Sequence, residues 1–360
     1  MKNIFLISNM YPSGYDKFYG IFVKNFVDNF TDTKIKVSSK SAIKGRGKTK
    51  LEKILKYLKL YISIIYNFFY SKFDVIYIHY PPFVSFVLLF CLIFKKKKVV
   101  LNFHGTDLLG KSKILKYLDF FTIKLIKKSS LIVVPSNFFK LKIIEKYKIP
   151  NKKIFVSPSG GIDSKVFDKI SFAKNTSYFK LGFVGRIDEG KGWEVLIEAV
   201  SKLKKDIPNI LLYIAGAGKQ LENMKQCIQE NNLESNIIYE GSIEHKKLPL
   251  FYNKIDVFIF PTYLEESLGL VGIESLSCGI PIIASKVGGI QDYLINEKNG
   301  LFFELKNSDD LKEKILMMYR NKELFSFLKS NAQSSVEKYD KKQVTSDITN
   351  ILEKVINEKI

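Results

Sequence analysis

Residues 257–289, VFIFPTYLEESLGLVGIESLSCGIPIIASKVGG, have the pattern of a strand, a loop, a helix and a second strand. The apolar run at 257–260 predicts a buried strand that ends at Pro261, and 281–284 predicts the next strand. Between them, Gly269 permits a tight turn into a helix that opens around residues 270–272. A strand, a helix and a strand in this order predict parallel neighbours in one sheet.

The same alternation extends outward from this stretch in two series. Candidate strands lie at 4–8, 35–38, 75–79, 99–103, 131–135 and 154–157, and then at 181–184, 210–215, 237–240, 257–260, 281–284 and 300–303. Helical patterns fit between them, for example at 22–30, 114–127, 193–204, 221–231 and 272–277. The chain is therefore expected to be an α/β protein with two doubly wound domains, 1–165 and 166–343, a linker near 160–175, and a last helix at 344–360 that joins the first domain.

The loop after the first strand of the second series, GRIDEGKGW at 185–193, carries two cations among glycines. Arg186 and Lys191 lie five positions apart on this loop, just before a predicted helix. Glycines let the backbone approach a ligand closely, and a helix start adds positive potential, so the loop suits a diphosphate. A charged surface turn would have a similar sequence.

The loop at 261–269 adds carboxylates to these cations. Glu266 lies in the loop, and Glu274 lies on the helix that follows, where the amides of Leu270 and Val271 would face an anion. Carboxylates accept hydrogen bonds from sugar hydroxyls while amides hold phosphate, which is the combination that a nucleotide-sugar needs. For either glutamate alone, helix capping is the alternative.

The spacing from Glu266 to Glu274 resembles the E-x7-E motif of glycosyltransferase family 4, whose members are retaining enzymes of the GT-B fold. GRIDEGKG resembles the diphosphate loop of that family, and FDVIYIHYPP, VVLNFHGTD, SSLIVVPSNFFK and SPSGGID resemble landmarks of its first domain. The resemblance covers nearly the whole chain. It implies two Rossmann-like domains that face each other across a cleft, and a retaining hexosyltransferase that uses a nucleotide-sugar.

The resemblance also implies roles for individual residues. Arg186 and Lys191 would hold the donor diphosphate, Glu266 would contact hydroxyls of the donor sugar, and Glu274 would bind the ribose hydroxyls. Further donor contacts are implied at loops and helix starts: Gly20 at the distal phosphate, Gly241 and Ile243 beside the base, and Gly269, Leu270 and Val271 at the distal phosphate and the sugar.

Three histidines occur in the chain. His104, in HGTD, matches the family histidine that lines the reaction centre and contacts the donor sugar; a structural histidine between strand end and loop is the alternative. Asp107 could orient His104 or bind the acceptor. His79 is predicted to be structural, and His245 is predicted to be a solvated residue at a helix start near the base pocket.

No metal and no cofactor are expected. The sequence has no His/Cys cluster with metal-ligand spacing, and the Asp309–Asp310 pair is typical of a helix start. The cations and the helix end would stabilise the leaving diphosphate instead. The family is generally described by front-side attack, in which the leaving phosphate takes the proton of the acceptor.

The charge of the chain is unevenly distributed. The formal net charge is +21, and residues 1–165 hold 31 Lys and Arg against 9 Asp and Glu, whereas residues 166–360 hold 26 against 27. The basic half indicates an anionic partner.

We expect transfer to a lipid-linked or polysaccharide acceptor at the cytoplasmic membrane face, as in bacterial capsule, lipopolysaccharide O-antigen or glycolipid synthesis. A GT-B sugar-nucleotide epimerase and a nucleic-acid-binding protein are the alternatives, but the basic residues are dispersed and no nucleic-acid reader motif occurs.

Two segments, 44–69 and 83–98, are the candidates for contact with an anionic membrane surface. The apolar run at 83–94 would span about 18 Å as a helix against about 30 Å of hydrocarbon, and a core helix is its alternative reading. The helix at 51–69 has lysines beside an apolar stripe, and its alternative is a domain helix with a solvated lysine face. The stripe consists of Leu51, Ile54, Leu55, Leu58, Ile62, Ile65 and Phe69. Three scattered cysteines and an N-terminus without a signal-peptide pattern predict a cytoplasmic, peripherally bound protein.

Overall fold

The computed structural model describes residues 1–16, 19–31, 33–110, 112–170 and 177–358, which divide into two units. The first unit is Met1–Gly161 with Lys341–Ile360, and the second is Ile162–Asp340. The domain boundary therefore follows Gly161 rather than residue 165. Ile162 donates its amide to the carbonyl of Tyr339 at 2.9 Å, which ties the two ends of the second unit together. Residues 171–176 of the predicted linker lie outside the described residues.

The first unit has a parallel sheet with the strand order β2-β1-β3-β4-β5-β6. Its strands are β1 (Lys2–Tyr11), β2 (Ile35–Lys44), β3 (Val75–His79), β4 (Lys98–Asn102), β5 (Leu131–Val134) and β6 (Ile154–Val156). Its helices before the domain boundary are α1 (Ile21–Asn29), α2 (Lys50–Tyr70), α3 (Ser85–Phe94), α4 (Thr106–Leu109), α5 (Lys113–Lys128) and α6 (Asn137–Tyr147). The order reverses between β1 and β3, so the loops at their carboxyl ends flank the expected ligand crevice of this sheet.

The second unit has a parallel sheet with the order β12-β11-β10-β7-β8-β9. Its strands are β7 (Phe179–Val184), β8 (Ile210–Ala215), β9 (Ile237–Tyr239), β10 (Val257–Phe260), β11 (Ile282–Ser285) and β12 (Gly300–Phe303). Its helices are α7 (Trp193–Leu203), α8 (Leu221–Glu230), α9 (Leu248–Lys254), α10 (Leu270–Ser277), α11 (Ser308–Arg320) and α12 (Lys322–Ala332). The switch point lies between β7 and β10.

These two sheets confirm the predicted pair of doubly wound α/β domains. Some predicted boundaries change: the strand expected at 4–8 spans Lys2–Tyr11, and the strand expected at 35–38 continues to Lys44. Near the end of the second unit, α11 and α12 meet at Asn321, whose side chain accepts the amide of Leu324 at 2.9 Å and caps α12. Asp309 and Asp310 lie in the first turn of α11, as predicted, and the side chain of Asn307 accepts both of their amides.

The last helix, α13 (Lys341–Asn357), belongs to the first unit. Its buried residues Val344, Ile348, Leu352 and Val355 recur at helical spacing. Three of them join the apolar cluster that covers one face of the first sheet. The buried amino group of Lys98 donates to the carbonyl of Ile356 at 2.6 Å, so the end of α13 is also held by a hydrogen bond to β4.

The helix α2 has the predicted extent, but the predicted apolar stripe is not its buried face. Leu60, Ile64 and Phe68 are buried, whereas six of the seven stripe residues are exposed, among them Ile62 at 68%. Both faces of this helix are apolar, so periodicity alone could not identify the one that packs on the sheet. Within the described ranges, no helix is both long and apolar enough to cross a membrane.

Candidate functional site

At the switch point of the second sheet, the loops that follow β7 and β10 bring Lys191 and Glu266 together. The Lys191 amino group lies 2.6 Å from Oε1 of Glu266, and the two side chains are only 15% and 17% exposed. The hydroxyl of Thr262 donates to the same oxygen at 3.0 Å. Lys191 and Glu266, which are 75 residues apart in the sequence, are thus in direct contact.

Glycine makes the approach of these two loops possible. Gly192 has φ +73°, and a Cβ there would lie 2.0 Å from the carbonyl oxygen of Pro261. The carbonyl of Gly190 accepts the amide of Tyr263 at 2.9 Å and the Thr262 hydroxyl at 3.2 Å. Any larger residue at 192 would push the loops apart, so the contact between Lys191 and Glu266 depends on this glycine.

A second pair of glycines supports the Glu266 loop from the other side. Gly289 donates its amide to the carbonyl of Glu266 at 2.8 Å. Gly288 has φ +53°, and a Cβ there would lie 2.4 Å from the Glu266 carbonyl oxygen. The glycines that close the stretch at 261–289 therefore hold the backbone of the carboxylate-bearing loop in place.

The start of α10 follows this loop directly. Gly269 caps the helix with φ +80°, and the hydroxyl of Tyr293 donates to its carbonyl at 3.0 Å. Leu270 and Val271 are half-buried in the first turn. First-turn amides have no carbonyl partner within their own helix, so they present the positive end of α10 beside Glu266.

Glu274 is buried, with 3% of its surface exposed, and both of its carboxylate oxygens have partners. Oε1 lies 2.8 Å from Nε2 of His245, and Oε2 accepts the hydroxyl of Tyr252 at 3.0 Å. The hydrogen bond to Glu274 raises the pKa of His245, against the opposing effect of burial. His245 is exposed at a helix start, as predicted, but it is bonded to Glu274 rather than only solvated, and sequence reasoning missed this contact.

The remaining predicted residues of this unit lie on the loops around the same sheet edge. Arg186 is 68% exposed, and its guanidinium pairs with Asp188 at 2.7 Å rather than with Glu266. Gly241 follows β9 with φ +69°, and its carbonyl accepts the amide of Gly216 at 2.8 Å. Ile243 is half-buried against the apolar cluster behind α10.

In the first unit, the predicted residues follow β1 and β4. Gly20 is buried and caps α1 with φ +70°, and a Cβ there would lie 2.7 Å from the carbonyl carbon of Met10 at the end of β1. No larger residue could occupy this position without moving the backbone. The amides at the start of α1 therefore lie next to the carboxyl end of β1.

His104 is paired with His79, a residue that the sequence predicts to be structural. Nε2 of His104 lies 2.7 Å from Nδ1 of His79, and His104 stacks on Tyr80 at 5.6 Å between ring centroids. Burial lowers the pKa of His104 to about 3 and holds the pKa of His79 well below its usual range. Both rings are therefore neutral at physiological pH, and one must donate its N–H to the other.

Asp107 holds the backbone at His104. The carboxylate, 2% exposed, accepts the amide of His104 at 3.0 Å and that of Gly105 at 2.8 Å. Burial raises the pKa of Asp107 to about 6, although these hydrogen bonds lower it. Of the two predicted roles, orientation of His104 is the one that these contacts support. In the described part of the chain, no group of three or more His, Cys, Asp or Glu side chains could hold a metal ion.

Two family models match the chain over most of its length. Residues 33–163 match "Glycosyltransferase Family 4", and residues 165–335 match "Glycosyl transferases group 1". Their border falls close to the boundary between the two structural units.

Individual relatives agree with these matches. An uncharacterized glycosyltransferase of Methanocaldococcus jannaschii is 28% identical over 82% of this chain and 78% of its own length. Sucrose-phosphate synthase from Thermosynechococcus elongatus has a similar structure, with a TM-score of 0.81 and 18% identity over 99% of both chains. Anabaena HepE in complex with UDP has a TM-score of 0.79 and 17% identity over 98% of this chain and 100% of its own. At 17–18% sequence identity, the similarity to these two solved structures shows a shared fold and nothing more.

Proposed function

We propose that this chain, which belongs to glycosyltransferase family 4 and has the GT-B fold, moves a sugar from a nucleotide-sugar to a lipid-linked or polysaccharide acceptor with retention of configuration. The observation that carries the proposal is the contact between Lys191 and Glu266 at the start of α10. A cation, free helix amides and a carboxylate lie at one switch point, where phosphate and sugar hydroxyls can be bound side by side.

The donor is proposed to lie along the edge of the second sheet. Lys191, Arg186 and the amides of Leu270 and Val271 would hold the diphosphate, and Glu266 would accept a hydroxyl of the sugar. Glu274 would accept the ribose hydroxyls, in place of or beside its bond to His245. The other proposed contacts are Gly269 at the distal phosphate and Gly241 and Ile243 beside the base. A similar fold binds UDP in HepE, which supports a nucleoside diphosphate as the leaving group.

The proposed reaction breaks the bond between the anomeric carbon and the phosphate oxygen. The acceptor oxygen bonds to that carbon on the same face, and its proton passes to the departing phosphate. Lys191, Arg186 and the helix amides would stabilise the charge that develops on the diphosphate, so no metal ion is invoked. Gly20 would add an amide at the distal phosphate. His104 would act as a neutral hydrogen-bond partner of the sugar, since its pKa is lowered to about 3.

The proposed setting is the cytoplasmic face of a membrane, in the synthesis of a capsule, a lipopolysaccharide or a glycolipid. The support is the basic first unit, because 31 of the 57 Lys and Arg residues lie within residues 1–165. A lipid-linked acceptor carries phosphate and remains in the bilayer. A basic acceptor domain at that surface would concentrate the enzyme near it.

A thermal-unfolding screen with UDP, GDP, ADP and their common sugar conjugates tests the donor assignment. At 100 times its dissociation constant, one nucleotide should stabilise the protein by about 2.7 kcal/mol. Glu274→Gln should abolish this stabilisation. The matched control is Glu198→Gln, which changes an exposed carboxylate paired with Lys202 on α7. If no nucleotide stabilises the protein, or if Glu274→Gln responds as the wild type does, the assignment is wrong.

An activity assay separates transfer from epimerisation. With the stabilising nucleotide-sugar, a glycosyltransferase releases nucleoside diphosphate only when an acceptor is added, whereas an epimerase converts the donor without an acceptor. Nuclear magnetic resonance of the product gives the anomeric configuration. A product with inverted configuration would contradict the proposed retention.

A further inference from the structure

Three neighbouring helices of the first unit expose large apolar side chains, and α3 packs against both α2 and α5. Six of these side chains define what we call the three-helix surface: Ile62 and Tyr66 on α2, Ile93 and Phe94 on α3, and Tyr117 and Phe120 on α5. Their exposed fractions range from 58% for Phe120 to 80% for Tyr117. Clusters of exposed apolar side chains that are rimmed by polar residues are typical of protein or membrane interaction sites.

Ring contacts connect the three helices beneath this surface. Phe69 on α2 lies 5.9 Å from Phe94 on α3, measured between ring centroids. Phe86 on α3 contacts Tyr61 on α2 at 4.8 Å and Phe121 on α5 at 6.1 Å. The two segments that the sequence indicated as separate membrane contacts, 44–69 and 83–98, therefore share one surface, and α5 extends it.

The outer face of α2 is not the face that packs on the sheet of its own unit. The helix already packs on the sheet through Leu60, Ile64 and Phe68, which are at most 3% exposed. A helix that is apolar on two opposite faces buries one face in the domain and leaves the other for a partner. The exposed position of Ile62 and its neighbours is therefore not required for packing on the sheet.

The charge around the three-helix surface favours one kind of partner. Segment 44–70 has seven Lys and Arg and one acid, segment 85–97 has three lysines and no acid, and segment 112–128 has five lysines and one acid. The two acids are engaged: Glu52 accepts the amide of Lys48 at 2.7 Å, and Asp119 pairs with Lys146 at 3.1 Å. A second copy of this chain would bring like charges face to face, whereas an anionic bilayer offers hydrocarbon for the apolar side chains and phosphates for the cations.

We propose that the three-helix surface docks the enzyme on an anionic lipid bilayer, with the side chains of α2, α3 and α5 inserted at the level of the headgroups. This inference rests on the proposed function in that it places the first unit at the surface where a lipid-linked acceptor resides. The exposed lysines of these helices reach the headgroup phosphates from around the apolar centre. Neither the apolar side chains nor the lysines suffice alone, since single weak anchors bind membranes only marginally.

Co-sedimentation with vesicles of phosphatidylcholine, with and without phosphatidylglycerol, tests the proposal. The wild type should bind the anionic vesicles and should bind them less as salt is raised. The triple variant Ile62→Ser, Ile93→Ser, Tyr117→Ser should lower the partition coefficient about 100-fold, since three large apolar side chains no longer enter the bilayer. The matched control is Ile295→Ser, Leu305→Ser, Phe327→Ser, which removes side chains of 49–53% exposure from the second unit.

The outcomes separate this surface from the donor site. Equal vesicle binding by the triple variant and the wild type, or absence of binding by the wild type, would overturn the proposal. A wild-type dimer in analytical ultracentrifugation that the triple variant dissociates would also overturn it, in favour of a second copy of the chain. A nucleotide should stabilise the triple variant as much as the wild type, and this result would show that the variant is folded. If no nucleotide stabilises any variant, the donor assignment fails while the vesicle result stands.

Discussion

Replacement of Lys191 by Met tests the centre of the proposed donor site. The change removes the amino group 2.6 Å from Glu266 and keeps most of the side-chain volume. Loss of one partner from a buried ion pair costs about 3–5 kcal/mol. Lys191 and Glu266 are 15% and 17% exposed, so water partly screens the remaining carboxylate, and we expect about 2 kcal/mol. For a unit of this size, that lowers the melting temperature by about 4–8 °C.

Nucleotide affinity should change for a different reason. A hydrogen bond to a charged group contributes about 1.5–3 kcal/mol, so loss of the Lys191 contact to phosphate should weaken the binding of the nucleoside diphosphate about 10- to 150-fold. The double variant Lys191→Met, Glu266→Gln separates the two effects. It removes the unpaired carboxylate as well, so stability should largely return to that of the wild type, while nucleotide affinity should stay low.

Isothermal titration calorimetry and thermal unfolding of the same samples measure both quantities. Lys202→Met is the matched control, because Lys202 pairs with Asp309 at 2.7 Å in the same unit but away from the switch point. It should lower stability slightly and leave nucleotide affinity unchanged. If the affinity of Lys191→Met lies within threefold of the wild type, Lys191 does not bind the diphosphate and the reasoning is refuted.

Two further predictions concern the same unit. Gly192→Ala should destabilise the protein by about 3 kcal/mol, because the backbone is left-handed and the new Cβ would meet the carbonyl of Pro261 at 2.0 Å. The control is Gly14→Ala, since Gly14 has open space around it. Equal melting temperatures of the two variants would contradict this prediction. The pKa of His245 is raised by its bond to Glu274, so that bond stabilises the fold fully below the ordinary histidine pKa of about 6.5 and less as pH rises through the higher folded value. The stability difference between wild type and His245→Ala should therefore shrink from about pH 6 to about pH 9 in chemical denaturation, and a difference that grows would refute it.

The strand and helix order could be predicted from the sequence because buried parallel strands are short apolar runs with helical patterns between them. The position of Lys191 and Glu266 at one sheet edge was predictable too, because both residues follow strands of the same parallel sheet. Contacts that depend on the direction of side chains could not be predicted from the sequence. The bond between His245 and Glu274 joins residues 29 positions apart, and the pairing of His79 with His104 requires β3 and β4 to be neighbours. The buried face of α2 was missed because two apolar faces satisfy the same periodicity.

The basic side chains of the proposed donor site share a feature that bears on selectivity: each is paired with a carboxylate. Lys191 bonds to Glu266, Arg186 to Asp188, and His245 to Glu274. A diphosphate that takes up Lys191 competes with Glu266, and the carboxylate then needs a new donor, which a sugar hydroxyl supplies. On the proposed assignment, this exchange would couple recognition of phosphate to recognition of sugar, because a half-buried charge stays unpaired unless both groups bind. The site should therefore favour an intact nucleotide-sugar over its separate parts.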